Sequence, residues 1–122
     1  MKWYTLAIPQ WRKAKALGIE TLDITVKSGD KRFAPYDEVL WAYKRGEVSD
    51  EEYTEIYRSK LTKLLHSDPK AIEDLLTAEG EAKAVMCYCT AGKFCHRHIW
   101  MEFMQDVADD NGIHFEHCGE IV

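Results

Sequence analysis

The sequence lacks any apolar run long enough to cross a membrane. Its longest hydrophobic segments fall far short of the roughly 20 residues that a membrane-spanning helix needs. A basic segment followed by an apolar one, which is typical of secretory signals, is missing at the N-terminus, and so are internal repeats and low-complexity stretches. We therefore predict a cytoplasmic globular protein that makes no membrane contact.

The sequence is also short of positive charge. It has 16 Lys and Arg against 21 Asp and Glu, which gives a net charge of −5. Because a negative surface repels a phosphate backbone, direct binding of duplex nucleic acid is disfavoured. Several basic residues, including Lys27, Lys93 and Arg97, nevertheless lie beside predicted strand ends, so a local anion site is still possible.

A third feature that the sequence lacks is a Cys-x-x-Cys pair. Without a secretory signal, free thiols or a metal site are favoured over disulfides for the four cysteines, which are Cys87, Cys89, Cys95 and Cys118. Ligand types suited to zinc occur in two groups, Cys89 with Cys95, His96 and His98, and Cys87 with Cys118 and His117. Because the spacing typical of zinc motifs is absent, we predict no metal and no other cofactor, and a structural zinc protein is the alternative.

Apolar strand patterns alternate with helical patterns along the chain, which predicts an α/β fold. The predicted strands cover residues 3–8, 21–26, 82–89 and 113–118. We predict a single domain over residues 1–122 with a helical insertion at about 36–80. Its three layers consist of a small, mostly parallel sheet of about four strands flanked by helices, and the predicted strand order is 2-1-3-4.

The most informative stretch follows the third predicted strand, where an apolar run leads into a loop and then a helical pattern. This loop is rich in reactive and charged side chains and ends in Cys95-His96-Arg97. In open α/β sheets, ligands bind beyond the carboxyl ends of the strands, where helix N-termini present N–H groups. With the predicted strand order, an anion-binding crevice lies at the carboxyl ends of strands one and three.

The same stretch carries a family resemblance. A strand ending in cysteine, a short loop, Cys95-His96-Arg97 and an apolar helix resemble the bacterial and phage family known as domain of unknown function four-eight-eight. The first strand and residues 22–29, followed by Phe33-Ala34-Pro35, are similar to the rest of the family pattern. The resemblance implies no defined activity, so the chemistry has to be argued from the residues.

Cys95 is the predicted nucleophile or redox thiol. It stands at the start of a helix, where the partial positive charge, together with Lys93 and Arg97, favours the thiolate. The adjacent His96 would point about 100° away on a helix, whereas His98, three residues beyond Cys95, shares its face more easily. We therefore choose His98 as the catalytic histidine.

Asp23 is the third predicted catalytic residue, because it interrupts an otherwise apolar strand. A buried acid requires hydrogen-bond partners, so we expect Asp23 to be buried and anchored to the loop after the third strand. Arg97 has five donors in a fixed fork, which suits either a bidentate grip on a ligand anion or a clamp on Asp23.

The predicted ligand-binding residues surround the crevice and are Gln10, Trp11, Arg12, Lys27, Ser28, Cys89, Thr90, Lys93, His96 and Arg97. Cys-to-Arg spacing does not fit a phosphatase loop, and Gly92-Lys93 lacks the flanking residues of a Walker loop. We predict an enzyme that acts through a thiol on a small phosphate-bearing or nucleotide-like ligand. The alternatives are a non-catalytic module that binds a nucleotide or a protein, such as a phage or bacterial regulator, and the structural zinc protein.

Overall fold

A computed structural model describes residues 2–80, 82–88 and 94–122 of the chain. Its elements are β1 (Lys2–Ala7), a 3-10 turn (Ile8–Gln10), α1 (Trp11–Ala16), β2 (Glu20–Asp23), α2 (Asp37–Lys44), α3 (Asp50–Ser67), α4 (Pro69–Leu76), β3 (Ala82–Cys87), α5 (His96–Asp110) and β4 (Glu116–Ile121). In these described ranges, no helix combines the length and the apolar character that crossing a bilayer requires.

The four strands form one parallel sheet in the order β2-β3-β1-β4. The predicted α/β fold with a small parallel sheet is confirmed, and β1 and β3 are neighbours at the centre as expected. The predicted order 2-1-3-4 is wrong at the edges, because it paired strands that are consecutive in sequence, the commonest arrangement. Here the connections from β1 to β2 and from β3 to β4 each cross one intervening strand.

Helices cover both faces of the sheet. Because alternate residues of a strand point to opposite faces, Trp3 and Val85 join a large core with α3, α4 and α5. Leu6 and Ala84 point the other way and pack on Ala14 of α1. The result is the three-layer arrangement that the sequence predicted.

Helix α3 places an aromatic wall beside the start of α5. It begins with a capping box, in which the Ser49 hydroxyl accepts the N–H of Glu52 at 3.1 Å and the Glu52 carboxylate accepts the N–H of Ser49. Tyr57 lies further along α3 and is buried. Its hydroxyl donates to the Phe33 carbonyl, and its ring packs edge-on against the His96 ring, with 5.6 Å between the ring centres. This packing fixes one side of the His96 ring.

Strand β4 starts at residue 116, whereas the sequence predicted residue 113. The earlier pattern was misleading because Phe115 is buried against Trp3 before the strand begins. Within β4, one extra residue is accommodated between the partners of Trp3 and Thr5, and Gly119 adopts a φ of 103° there. This bulge places Glu120 opposite Thr5, near the first turn of α5.

Candidate functional site

The first part of the candidate site is a group of side chains, called the thiol cluster here, which consists of the buried residues Cys87, Cys95, His96 and Arg97 and the partly buried Glu120. Cys87 ends β3, Cys95 is the N-cap residue of α5, and His96 and Arg97 form its first turn. The sulfur atoms of Cys87 and Cys95 lie 2.7 Å apart. The strand end and the helix start therefore bring two thiols into direct contact.

His96 is the histidine that faces the Cys95 thiol. Its Nδ1 lies 3.6 Å from Cys95 Sγ, and its Nε2 lies 2.8 Å from the carbonyl oxygen of Ile24. Because a carbonyl can only accept, we assign the ring proton to Nε2. Burial lowers the pKa of His96 below its ordinary value of 6.5, so the ring is neutral near pH 7. The lone pair of Nδ1 is thus free to accept the thiol proton.

The choice of His98 as the partner of Cys95 rested on a helical geometry that Cys95 does not have. Cys95 has φ −155° and ψ 156°, which is extended backbone, so the 100° separation between helical neighbours does not apply to it. His98 is half-buried, and burial also lowers its pKa, but no hydrogen bond to Cys95 is found among the described residues. A catalytic role for His98 stays a prediction.

Arg97 is fully buried and is held by Glu120. Its Nε and Nη2 donate to the two carboxylate oxygens of Glu120 at 2.9 and 2.7 Å, and its Nη1 donates to Cys87 Sγ at 3.0 Å. Burial opposes the charge on both groups, yet the paired hydrogen bonds outweigh it, raising the pKa of Arg97 and lowering the pKa of Glu120. The carboxylate that Arg97 clamps is therefore Glu120 and not Asp23 as predicted. The prediction was wrong because the last strand was expected to end before Glu120.

Asp23 organises its own loop. Its Oδ1 accepts the N–H of Thr25 at 2.8 Å, and its Oδ2 accepts the hydroxyl of Ser28 at 2.7 Å. A Cβ on Gly29 would lie 2.7 Å from Asp23 Oδ1, so this turn needs a glycine. Asp23 is half-buried instead of buried as predicted, because β2 is an edge strand. Its predicted bond to the loop after β3 and its catalytic role stay predictions, since most of that loop lies outside the described residues.

The second part of the candidate site is an open pocket in front of His96, called the His96 pocket here. It has a volume of about 390 Å³, within the usual range for small-molecule sites. The lining residues come from the loop after β2, from α2, from the residue after β3 and from the first residue of α5. They are Thr25, Val26, Lys27, Leu40, Trp41, Lys44, Tyr88 and His96. Two lysines and two exposed aromatic rings in one pocket suit an anionic ligand that carries a planar ring.

The structure brings together only some of the predicted ligand-binding residues. Lys27 and His96 line the His96 pocket, Ser28 belongs to the adjoining turn, and Arg97 lies behind it in the thiol cluster. Gln10, Trp11 and Arg12 are not among its described lining residues, because they lead into α1 on the opposite face of the sheet. The Arg12 guanidinium lies 5.7 Å from the centre of the Trp11 ring there. The remaining predicted residues, Cys89, Thr90 and Lys93, lie outside the described part of the chain.

Several residues of the site were missed from the sequence. Cys87 could have been found, since the last residue of a central strand lies at the edge where ligands bind. Trp41 and Lys44 are three apart on α2, and the lysine ammonium lies 5.9 Å from the centre of the indole ring. Glu120 gave no usable signal, because its position depends on the bulge at Gly119.

Cys87, Cys95 and His96 could also hold a metal ion. Their ligand atoms all lie within 4.8 Å of one another, and all three residues are buried. A metal-binding histidine normally donates its other ring N–H to a carbonyl or carboxylate, and the bond from His96 to Ile24 has that form. Two thiolates and an imidazole suit zinc with a fourth position open to water or substrate. Neither zinc group predicted from the sequence contained these three residues together.

Comparison with models of known protein families gives a match. The family model DUF488-N3a, described as the active DUF488-N3 subclade, matches residues 16–108. This span contains all of the thiol cluster except Glu120, and it contains the whole described lining of the His96 pocket. No significant match is found among curated proteins or among solved structures.

Proposed function

The chain belongs to the DUF488-N3a family, and we propose that it is an enzyme that acts on a small phosphate-bearing or nucleotide-like ligand through the thiol of Cys95. The observation that carries this proposal is the position of His96. Its Nδ1 faces the Cys95 sulfur at 3.6 Å, and the same residue lines the open pocket. The Cys95 thiol, the His96 base and the Ile24 carbonyl that orients the base are therefore linked by successive contacts next to a ligand-sized pocket.

In the proposed chemistry, His96 Nδ1 takes the proton from Cys95 Sγ. The thiolate then forms a bond to an electrophilic atom of the ligand while the bond from that atom to the leaving group breaks, and the leaving group takes the proton back from His96. Water that gives a proton to His96 then displaces the ligand fragment from Cys95, and the sulfur takes that proton back, which completes the turnover. Arg97, fixed by Glu120, holds its positive charge 3.0 Å from Cys87 Sγ, which itself touches Cys95 Sγ. This charge favours a thiolate in the cluster and costs no reorganisation when the thiolate forms.

The ligand class follows from the lining of the His96 pocket. Lys27 and Lys44 supply positive charge for a phosphate, and the described lining contains no acidic side chain to oppose them. Trp41 and Tyr88 are 44% and 54% exposed, so their ring faces are available for stacking on a base. Local positive charge on a protein of net charge −5 supports selection of an anion at this place.

A turnover screen with two cysteine variants tests the proposal. Wild-type protein, Cys95→Ser and Cys118→Ser are incubated with a panel of nucleotides, nucleosides and sugar phosphates, and products are identified by liquid chromatography and mass spectrometry. We expect at least one compound to be converted by the wild type and by Cys118→Ser, since Cys118 is exposed and belongs to neither the thiol cluster nor the described lining of the His96 pocket. In Cys95→Ser we expect a loss of at least 100-fold. Binding of a ligand without conversion would favour the non-catalytic module, and conversion that survives in Cys95→Ser would contradict the proposal.

A zinc protein is the second candidate, favoured by the grouping of Cys87, Cys95 and His96 within 4.8 Å. These three residues would hold the ion, and the ion would supply a Lewis acid next to the His96 pocket. The metal content of purified protein separates the two candidates. One zinc per chain, retained in Cys118→Ser and lost in Cys87→Ser, would favour the zinc protein, whereas a metal-free wild type that turns over its substrate would exclude it.

A further inference from the structure

A second open pocket adjoins the His96 pocket and is called the Tyr36 pocket here. It has a volume of about 490 Å³, and it shares Val26, Lys27 and Trp41 with the His96 pocket. Beyond this shared wall it extends past Lys31, Tyr36 and Lys60. The two pockets therefore form one continuous groove, and Lys27 and Trp41 stand at its middle.

The groove carries a charge opposite to that of the whole protein. Its described lining contains four lysines, Lys27, Lys31, Lys44 and Lys60, and one acid, Asp37, so the local charge is +3. The chain as a whole has a net charge of −5. A local field of this sign attracts a polyanion to the groove and leaves the rest of the surface repulsive to it.

Three exposed aromatic rings follow the groove. Tyr88 stands in the His96 pocket, Trp41 at the shared wall and Tyr36 in the Tyr36 pocket, with exposures of 54%, 44% and 37%. The Lys60 ammonium lies 5.1 Å from the centre of the Tyr36 ring and donates to the carbonyl oxygens of Lys31 and Ala34. These bonds hold the Lys60 ammonium beside the Tyr36 ring, and the exposed part of the ring is a surface for stacking.

We propose that this groove binds a single-stranded nucleic acid, with one nucleotide in the His96 pocket and its neighbour in the Tyr36 pocket. The inference rests on the proposed function, because it extends the ligand of the His96 pocket into a chain. Aromatic rings that alternate with lysines are how proteins bind single strands, since stacked bases and a charged backbone are both satisfied. An acidic peptide would use the lysines but leave the three rings without partners, and the bases of a duplex cannot reach them.

The test is a length series of ligands with matched protein variants. Dissociation constants are measured by fluorescence anisotropy for a labelled mononucleotide, a single-stranded hexanucleotide as DNA and as RNA, and the corresponding duplex. The proteins are the wild type, Tyr36→Ala, Lys31→Ala and, as a control on the exposed face of α3, Lys63→Ala. All three substituted side chains are exposed, so folding is retained in each variant.

We expect the hexanucleotide to bind the wild type at least about tenfold more tightly than the mononucleotide, and the duplex to bind weakly. Tyr36→Ala should weaken hexanucleotide binding about tenfold and leave mononucleotide binding unchanged, because only the longer ligand reaches that ring. Lys31→Ala should flatten the dependence of log Kd on log salt by about 0.7, the loss of one phosphate contact to a single strand. Lys63→Ala should match the wild type in each measurement.

Equal affinity for the mononucleotide and the hexanucleotide would overturn the inference, as would a hexanucleotide affinity that Tyr36→Ala leaves unchanged. Neither result would touch the proposed function, which depends on turnover through Cys95. Conversely, turnover that survives in Cys95→Ser would defeat the proposed function even if the length series behaves as expected. The two failures are therefore distinguishable.

Discussion

The thiol cluster and the groove meet at His96 but differ in their exposure to water. In the cluster, Cys87, Cys95 and Arg97 are at most 3% exposed, and each has a partner at short distance. In the groove, Tyr36 and Tyr88 stand with more than a third of their surface in water. Charges act strongly in the buried part because the effective dielectric is low, whereas the open part can exchange water for a ligand. In the proposed enzyme, the reactive thiol and the ligand would therefore lie on the two sides of the His96 ring.

The difference has a consequence for stability. Removing Arg97 or Glu120 deprives a charged side chain of its ionic partner in the protein interior, so this pair of the cluster supports the fold. Groove residues leave no such unpaired group behind, because water replaces the lost contact. Substitutions should therefore separate the two regions, with large losses of stability in the cluster and losses of binding alone in the groove.

The largest effect is expected for Glu120→Ala. It leaves the Arg97 guanidinium, which is 0% exposed, without its bidentate partner, so the free energy of unfolding should fall by about 3 kcal/mol. The surface pair of Arg45 and Glu47 has a similar distance of 2.9 Å but side chains that are 60% and 58% exposed. Glu47→Ala is the matched control and should change stability very little. Urea denaturation of both variants measures the contrast, and equal losses would remove the distinction between the two regions.

A smaller effect, on ligand binding instead of stability, is expected for Trp41→Ala in the groove. Loss of this ring should weaken binding of the best nucleotide ligand by about tenfold, the scale of one base stacked on an aromatic ring. Thermal unfolding should be nearly unchanged, because Trp41 is 44% exposed. Calorimetric titration gives the affinity, and Trp11→Ala, an exposed tryptophan on the other face of the sheet, is the control. A large drop in melting temperature with unaltered affinity would place Trp41 in the core instead of the site.

The smallest effect concerns pH. Burial lowers the pKa of His96 in the folded protein below the ordinary value of 6.5, so between these two pKa values the unfolded chain binds more protons than the folded one. The contribution of neutral His96 to the free energy of unfolding is complete above pH 6.5 and is lost as the pH falls through the pKa of His96 in the folded protein. We expect the melting temperature to fall between pH 7 and pH 5, with a shallower slope in His96→Gln. An unchanged slope in His96→Gln would mean that His96 is not a buried neutral ring.

Much of the fold could be predicted from sequence patterns, and so could the part that the end of β3 and the start of α5 take in the candidate site. The predicted crevice at the carboxyl ends of β1 and β3 is not where the His96 pocket lies, because that pocket is lined by the loop after β2 and by α2. Apolar runs located the first three strands, and the stretch ending in Cys95-His96-Arg97 located the loop and helix that carry the thiol. These features are local, because strand and helix periodicity and the residue types at a strand end are written in neighbouring positions. The family model matches residues 16–108, a span that includes Cys95-His96-Arg97.

The partnerships inside the site could not be predicted, because each one depends on a non-local or irregular feature. Glu120 reaches Arg97 only through the bulge at Gly119, and the edge strands exchanged places because two connections skip a strand. Cys95 faces His96 only because its backbone is extended at the N-cap. A prediction from periodicity assumes regular helices and strands, so it fails where an element begins, ends or bulges. The residues of the candidate site lie at such positions.

The most direct test of the account is the reactivity of Cys95 relative to Cys118 in one sample. The protein is labelled briefly with iodoacetamide at pH 7, and the labelled fraction of each cysteine is read by peptide mass spectrometry. In His96→Gln, the amide can keep the bond to Ile24 but offers no base at the Nδ1 position. We predict that the ratio of Cys95 to Cys118 labelling falls about tenfold in that variant, since an unassisted thiol is only a few per cent thiolate at pH 7, and that His98→Gln leaves the ratio unchanged. A ratio that is the same in His96→Gln and the wild type, or that falls only in His98→Gln, would contradict the pairing of Cys95 with His96.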